Sequence, residues 1–155
     1  MRTRLDLEIA IAAPAAVVWD YVTDWPRQGE WMPFTRVEHV REAPGLGGRF
    51  RAWTGIGPVG FWDPITVTAW ERTPDGGGRC EILHLGTVVK GEGEFVVVAV
   101  DEHSTRFVWA EMLVVPFGRA GALGWRFARP VVAWFFTLAL RRMRRRVERI
   151  ARSVS

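Results

Sequence analysis

The chain has 155 residues, a hydrophobic fraction of 48%, nine tryptophans, nine phenylalanines and a net charge of +4. That length suits one domain burying roughly 70% of its unfolded surface, and the apolar content excludes a disordered chain. Cys80 is the only cysteine, which excludes an internal disulfide and a multi-cysteine zinc site.

The chain moves from Met1-Arg2-Thr3-Arg4 straight into alternation, with Leu5, Leu7, Ile9 and Ile11 on one face of a half-buried strand over 3–12. A signal peptide needs a continuous apolar stretch instead, so a cytoplasmic location is expected. Pro14 suits the first position of a helix. Val17, Val18, Tyr21 and Val22 carry that helix to residue 23 at helical spacing. Asp24-Trp25-Pro26 ends it, because the residue before a proline is pushed out of the α region. A second short helix is expected over Arg27–Trp31, closed by Met32-Pro33.

From there the period is two. Strands are predicted at 35–42, 49–54, 60–72, 79–86, 91–100 and 105–115. Turn signals such as Pro44 to Gly48 and Thr73 to Gly78 separate them, as in an antiparallel meander. Cys80 lies in an alternating run and reads as a small buried hydrophobe. The last third changes period. Val132, Phe136, Ala139, Met143, Val147 and Ile150 recur at steps of three or four, so one amphipathic helix is predicted over 122–152, kinked at Pro130. Its apolar run Pro130 to Leu140 is too short for a span of roughly 20 residues. One α+β domain over 1–155 follows, its helix packed on one face of the sheet and a ligand-sized space between them.

This order resembles the helix-grip fold of the START-like (SRPBCC) superfamily, and more narrowly its polyketide cyclase/dehydrase-like branch. The resemblance rests on Ile11 to Trp19 at the first strand-to-helix junction, on Trp31-Met32-Pro33, and on Asp63-Pro64-Ile65-Thr66-Val67. Gly91-Glu92-Gly93-Glu94-Phe95 and Ser104 to Trp109 complete it. It implies a curved antiparallel sheet wrapped around the long C-terminal helix, with two short helices after the first strand. It also implies a hydrophobic small molecule or lipid as ligand, and the sparse polar set amid plentiful apolar positions favours a non-catalytic binding or transport protein. The alternative it leaves open is a polyketide cyclase, aromatase or dehydratase without metal or nucleotide cofactor.

The expected cavity lies between sheet and helix, lined by several of Trp31, Phe61, Phe95, Trp109 and Trp134. Three polar residues sit among apolar strand positions: Asp63, His84 and Glu111. Glu111 shares a face with Phe107, Trp109 and Leu113. In an apolar pocket without a cationic partner its protonated form would be favoured, and it could serve as an acid or bind a ligand oxygen; the alternative, since buried carboxylates are rare, is that it faces solvent or an arginine. His84 alternates with Cys80 and Ile82 and could be a general base, or an ordinary half-buried residue. In a meander the strands of His84 and Glu111 stand about 9.5 Å apart, too far for direct contact, so the two would bracket a ligand lying across Gly93. Asp63, before Pro64, could shape an edge bulge. His39, His84 and His103 show no metal-ligand spacing, and Gly76-Gly77-Gly78 joins two strands rather than opening onto a helix. No metal or other cofactor is therefore expected.

Charge is uneven. Residues 1–118 hold eleven Lys/Arg against sixteen Asp/Glu, whereas 119–155 hold ten Arg against Glu148 alone. Arg141, Arg142, Arg144, Arg145, Arg146, Arg149 and Arg152 suit the negative end of a helix dipole. They also suit an anionic membrane surface as a partner, which would make the protein peripheral there. Nucleic acid is disfavoured, because no stacking-aromatic motif accompanies the arginines. Oligomeric state has no signature in the sequence.

Overall fold

Period-two runs bounded by turn glycines become strands, and the single long period-3.6 run becomes a helix. The computed structural model describes residues 1–42 and 44–155. In chain order the elements are β1 (Arg2–Ile11), α1 (Ala15–Val22), a 3-10 turn (Trp25–Arg27) and α2 (Gln28–Trp31). There follow β2 (Thr35–Arg41), β3 (Arg49–Ile56), β4 (Val59–Arg72), β5 (Gly78–Leu85), β6 (Lys90–Asp101), β7 (Ser104–Val114) and α3 (Gly118–Val154). The seven strands form one antiparallel sheet in the order β1-β7-β6-β5-β4-β3-β2. Strands β2 to β7 are therefore a meander, and β1 pairs along the far side of β7 from Arg2↔Val114 to Ile11↔Thr105. With α3 packed across the sheet and the short helices after β1, this is a helix-grip fold.

The core lies between sheet and helices. Helix α1 buries Ala15, Val18, Trp19, Tyr21 and Val22, and Thr23 donates from Oγ1 to the Trp19 carbonyl at 2.7 Å where the helix ends. Trp25 stacks on Phe50 with ring centroids 4.7 Å apart, and Trp31 stands edge-on to Trp109 at 5.6 Å. Helix α3 adds Ala139, Leu140, Met143 and Val147, all buried. Full burial of each large apolar side chain stabilises the fold by roughly 1.5–3 kcal/mol. Glu148 accepts from the Ala12 backbone N–H at 3.0 Å, tying the end of α3 to the end of β1.

Two expectations change. Helix α3 starts at Gly118, four residues before the predicted Ala122, and runs unbroken through Pro130 to Val154. Its start is fixed by backbone reversal rather than by the apolar stripe. Phe117 (φ 65°) and Gly118 (φ 53°) both take left-handed conformations, and the Pro116 carbonyl lies so close to Gly121 that a Cβ there would sit 1.7 Å from it. The Asp63-Pro64 pair lies on a local edge, but without a bulge. Pairing of β4 with β3 runs from Val59 through Thr66, whereas the described pairing with β5 starts at Ile65. Pro64, which has no N–H to give, therefore sits where one side of β4 is unpaired. The register shift of β4 comes later, between Val67 and Ala69.

Candidate functional site

Alternation along β4, β5 and β7 turns Phe61, Asp63 and Ile65, then Ile82 and His84, then Trp109, Glu111 and Leu113 toward α3. Between them and the first half of α3 lies a cavity of about 370 Å³. Its helix side is formed by Trp125, Val132, Phe135 and Phe136. Its rim carries Val88, Val89 and Lys90 from the β5–β6 connection, with Val114, Val115 and Pro116 from the end of β7 onward. Volume and lining match the size range of ligand sites, roughly 300–1,000 Å³ and mostly apolar.

Six of the eight residues singled out in the sequence line this cavity: Phe61, Asp63, His84, Phe95, Trp109 and Glu111. Trp31 and Trp134 do not. Trp31 is fully buried one layer away, packed on Phe95 and Trp109. Trp134 is 62% exposed, because the helix positions facing the sheet are 132, 136, 139 and 143, and 134 points the opposite way. The sequence reading missed Gln28, Met32, Trp125 and Phe135. Trp125 lies seven residues before Val132, so extending the apolar stripe backward would have found it. Gln28 had no signal at all; it is buried, and its Oε1 has no hydrogen-bond partner.

The polar side chains converge in one cluster. Asp63 Oδ2 lies 2.6 Å from His84 Nδ1. On the other side of the ring, His84 Nε2 is 3.3 Å from Glu111 Oε2, within ion-pair range but not aligned for a hydrogen bond. Trp109 Nε1 donates to Glu111 Oε1 at 2.6 Å. All three polar residues are nearly closed to solvent, Asp63 at 6% and Glu111 at 3% exposure, with the His84 side chain at 10%. Asp63 Oδ1, His84 Nε2 and Glu111 Oε2 lack hydrogen-bond partners.

The contact between His84 and Glu111 overturns the expected separation. Strand spacing measures backbones, and the intervening β6 presents only Gly91 opposite His84 and Gly93 opposite Glu111. The two side chains lean over these glycines and meet. A Cβ on Gly93 would lie 2.8 Å from Ile82 Cγ1 and 3.0 Å from Glu111 Oε1, so the arrangement requires glycine.

It also overturns the premise that Glu111 is a carboxyl without a cationic partner, and it changes the role open to His84. Burial pushes the imidazole pKa down, but the contacts with Asp63 and Glu111 outweigh it and raise the pKa from 6.5 to about 10. At that pKa the ring is an imidazolium at neutral pH, with two N–H donors, whereas a general base is one of the two readings the sequence leaves open. Nδ1–H donates to Asp63. Nε2–H lies beside Glu111 and has no hydrogen-bond partner. Among the described residues no group of His, Cys, Asp and Glu is placed to hold a metal ion.

A family model described as polyketide cyclase / dehydrase and lipid transport matches residues 2–148. No curated protein sequence matches the chain. Solved structures share the fold at low identity. The Zhui aromatase/cyclase from a Streptomyces species superposes with a TM-score of 0.74 at 18% identity, over 96% of this chain and 95% of that one. A START superfamily protein from Mycobacterium smegmatis gives 0.66 at 16% identity, over 98% and 99%. Norcoclaurine synthase from Thalictrum flavum gives 0.62 at 14% identity, over 95% and 94%.

Proposed function

The chain belongs to the polyketide cyclase / dehydrase and lipid transport family, and from that premise we propose that it is a non-catalytic binding protein for a hydrophobic small molecule carrying an oxygen function. The observation behind this reading is one mostly apolar cavity of about 370 Å³ in which three ionisable side chains converge, Asp63–His84–Glu111, with the Gln28 amide as a further polar lining group. Apolar lining supplies affinity by area, and the polar locus sets orientation. A carbonyl or hydroxyl oxygen of the ligand accepts from His84 Nε2–H, and a ligand hydroxyl in turn donates to Glu111 Oε2 or Asp63 Oδ1. With a pKa of about 10, His84 keeps its proton at neutral pH, which suits a fixed donor better than a base that must take protons up and release them.

Native mass spectrometry of the purified protein tests this. A co-purifying mass in the small-molecule range is expected, and it should be lost in Leu113→Trp, which fills the cavity from β7. Protein that carries nothing, and that no hydrophobic oxygenated compound stabilises against heat, would remove the proposal.

A cyclase, aromatase or dehydratase is the second reading, and the unpartnered His84 Nε2 favours it. There the imidazolium gives its proton to a substrate carbonyl or departing hydroxyl, and the Glu111 carboxylate takes the proton that the adjacent substrate carbon loses and hands it to the now neutral His84 3.3 Å away. His84→Gln and Glu111→Gln separate the readings. A binding protein retains much of its ligand in both, whereas an enzyme retains ligand and loses turnover by a factor of order 10² to 10⁴.

A further inference from the structure

Helix α3 has two opposite faces. The inner one carries Val132, Phe136, Ala139, Met143 and Val147 toward the sheet. On the outer one, steps of three or four residues connect Leu123, Phe127, Val131, Trp134 and Leu138, then continue through Arg141, Arg145, Arg149 and Arg152. Phe127 is 71% exposed, and Leu123, Val131 and Trp134 are each more than 60% exposed. The outer face therefore begins as an apolar stripe and ends as a cationic one.

A row of large exposed hydrophobics costs free energy in water, and nothing in the core requires it. Its surroundings identify what would cover it. Arg119, Arg126 and Arg129 are exposed in the same half of the helix. The only acid in α3 is Glu148, which is engaged with the Ala12 backbone. Among the described residues, Arg146 is the one arginine of α3 in an ion pair, with Glu30 at 3.7 Å. Apolar side chains beside unpaired arginines on one helix face are the makings of an interfacial helix: the stripe enters the acyl boundary and the guanidinium groups meet phosphate. A neutral or cationic surface would leave the arginines without partners.

We propose that this outer face docks on an anionic lipid surface. The stretch that docks is also the stretch whose inner side closes the cavity, with Trp125, Val132 and Phe135 on that side. The docking does not depend on what the cavity holds.

Co-sedimentation of the full chain with phosphatidylglycerol–phosphatidylcholine vesicles and with pure phosphatidylcholine vesicles, at low salt, tests the proposal. Two triple variants are compared: Phe127→Ser/Val131→Ser/Trp134→Ser, and Arg141→Glu/Arg145→Glu/Arg149→Glu. All six positions are exposed, and circular dichroism checks that both variants fold. Wild type is expected on the mixed vesicles and far less on pure phosphatidylcholine, with each variant weakened by about tenfold or more. Three results would overturn the proposal. One is no binding of wild type at low salt. Another is unchanged binding of the serine variant, which would mean that the arginines act alone. The third is a concentration-dependent dimer that the serine variant abolishes while vesicles stay unbound, which would assign the face to a second copy.

Discussion

Single residues in this fold have roles that an isolated reading of each would misjudge. His84 is the clearest case. Its folded pKa of about 10 lies above the ordinary 6.5, so folding favours the protonated ring. The stability this contributes is complete below about pH 6.5, declines as pH rises, and is gone above about pH 10. Thermal denaturation across that window should show a falling melting temperature in wild type, with the corresponding part of the slope missing in His84→Gln. Gly93 is the counterpart on β6. Gly93→Ala forces its Cβ against Ile82 and Glu111, and overpacking of this kind costs about 1–3 kcal/mol. Denaturant melts should show that loss, with ligand retention falling alongside it. Burial pushes the Cys80 thiol up to about 12, leaving almost no thiolate at neutral pH. Iodoacetamide should leave the native protein unmodified and label it once unfolded.

At the scale of elements, α3 is secured through its second half. Met143 is fully buried there, and Met143→Ala should cost about 2–5 kcal/mol by the cavity it leaves, read as a shift in denaturation midpoint. A hydrogen-bonded cluster fastens the short helices to the same region. Tyr21 donates to Glu30 at 3.0 Å, Arg27 donates to Glu30 from Nε at 3.2 Å, and Arg146 approaches the same carboxylate. Burial acts to raise the Glu30 pKa, but Arg27 and Tyr21 outweigh it and hold it below the ordinary carboxylate value. Its contribution is therefore present above the unfolded carboxylate pKa and lost as acid protonates it. Glu30→Gln should flatten the acid limb of the pH–stability curve and leave the decline just above pH 6.5, which belongs to His84, unchanged.

For the whole molecule, a ligand held only by the folded form raises stability by about 2.7 kcal/mol at a hundredfold excess over its dissociation constant. A thermal-shift screen of hydrophobic oxygenated compounds should therefore return stabilisers of wild type that fail on Leu113→Trp. Much of the architecture was legible in the sequence, because period-two and period-3.6 patterns report directly on which face is buried. Each strand lies within two residues of where alternation placed it. The start of α3 was not legible, since it depends on left-handed backbone at Phe117 and Gly118 rather than on an apolar residue. The site was legible as a set of residue types and illegible as geometry. Asp63, His84 and Glu111 stood out as polar residues in apolar runs. Their contact depends on two glycines of a third strand, which no period encodes. Trp134 misled for the complementary reason: aromatic density does not say which side of a helix a ring occupies.

The first half of α3 has a further consequence, for rates rather than affinities. Gly124 costs the helix roughly 1 kcal/mol relative to alanine, and Gly118 and Gly121 are kept as glycine by a left-handed backbone and by the Pro116 carbonyl. The helix has no side-chain cap and no acid in its first turn, so its leading amides lack side-chain partners. Pro130 removes one more backbone bond. Residues 118–130 should therefore open locally, on their own, well below the free energy of global unfolding. Native-state hydrogen exchange should show amides of this stretch exchanging far faster than those of 139–150. Because Trp125 and its neighbours close the cavity, the lifetime of a bound molecule would follow that opening. Gly121 must stay glycine beneath the Pro116 carbonyl, whereas a Cβ on Gly124 meets nothing within 4 Å. Gly124→Ala should thus slow both exchange of these amides and release of ligand, and leave the equilibrium contacts inside the cavity as they are.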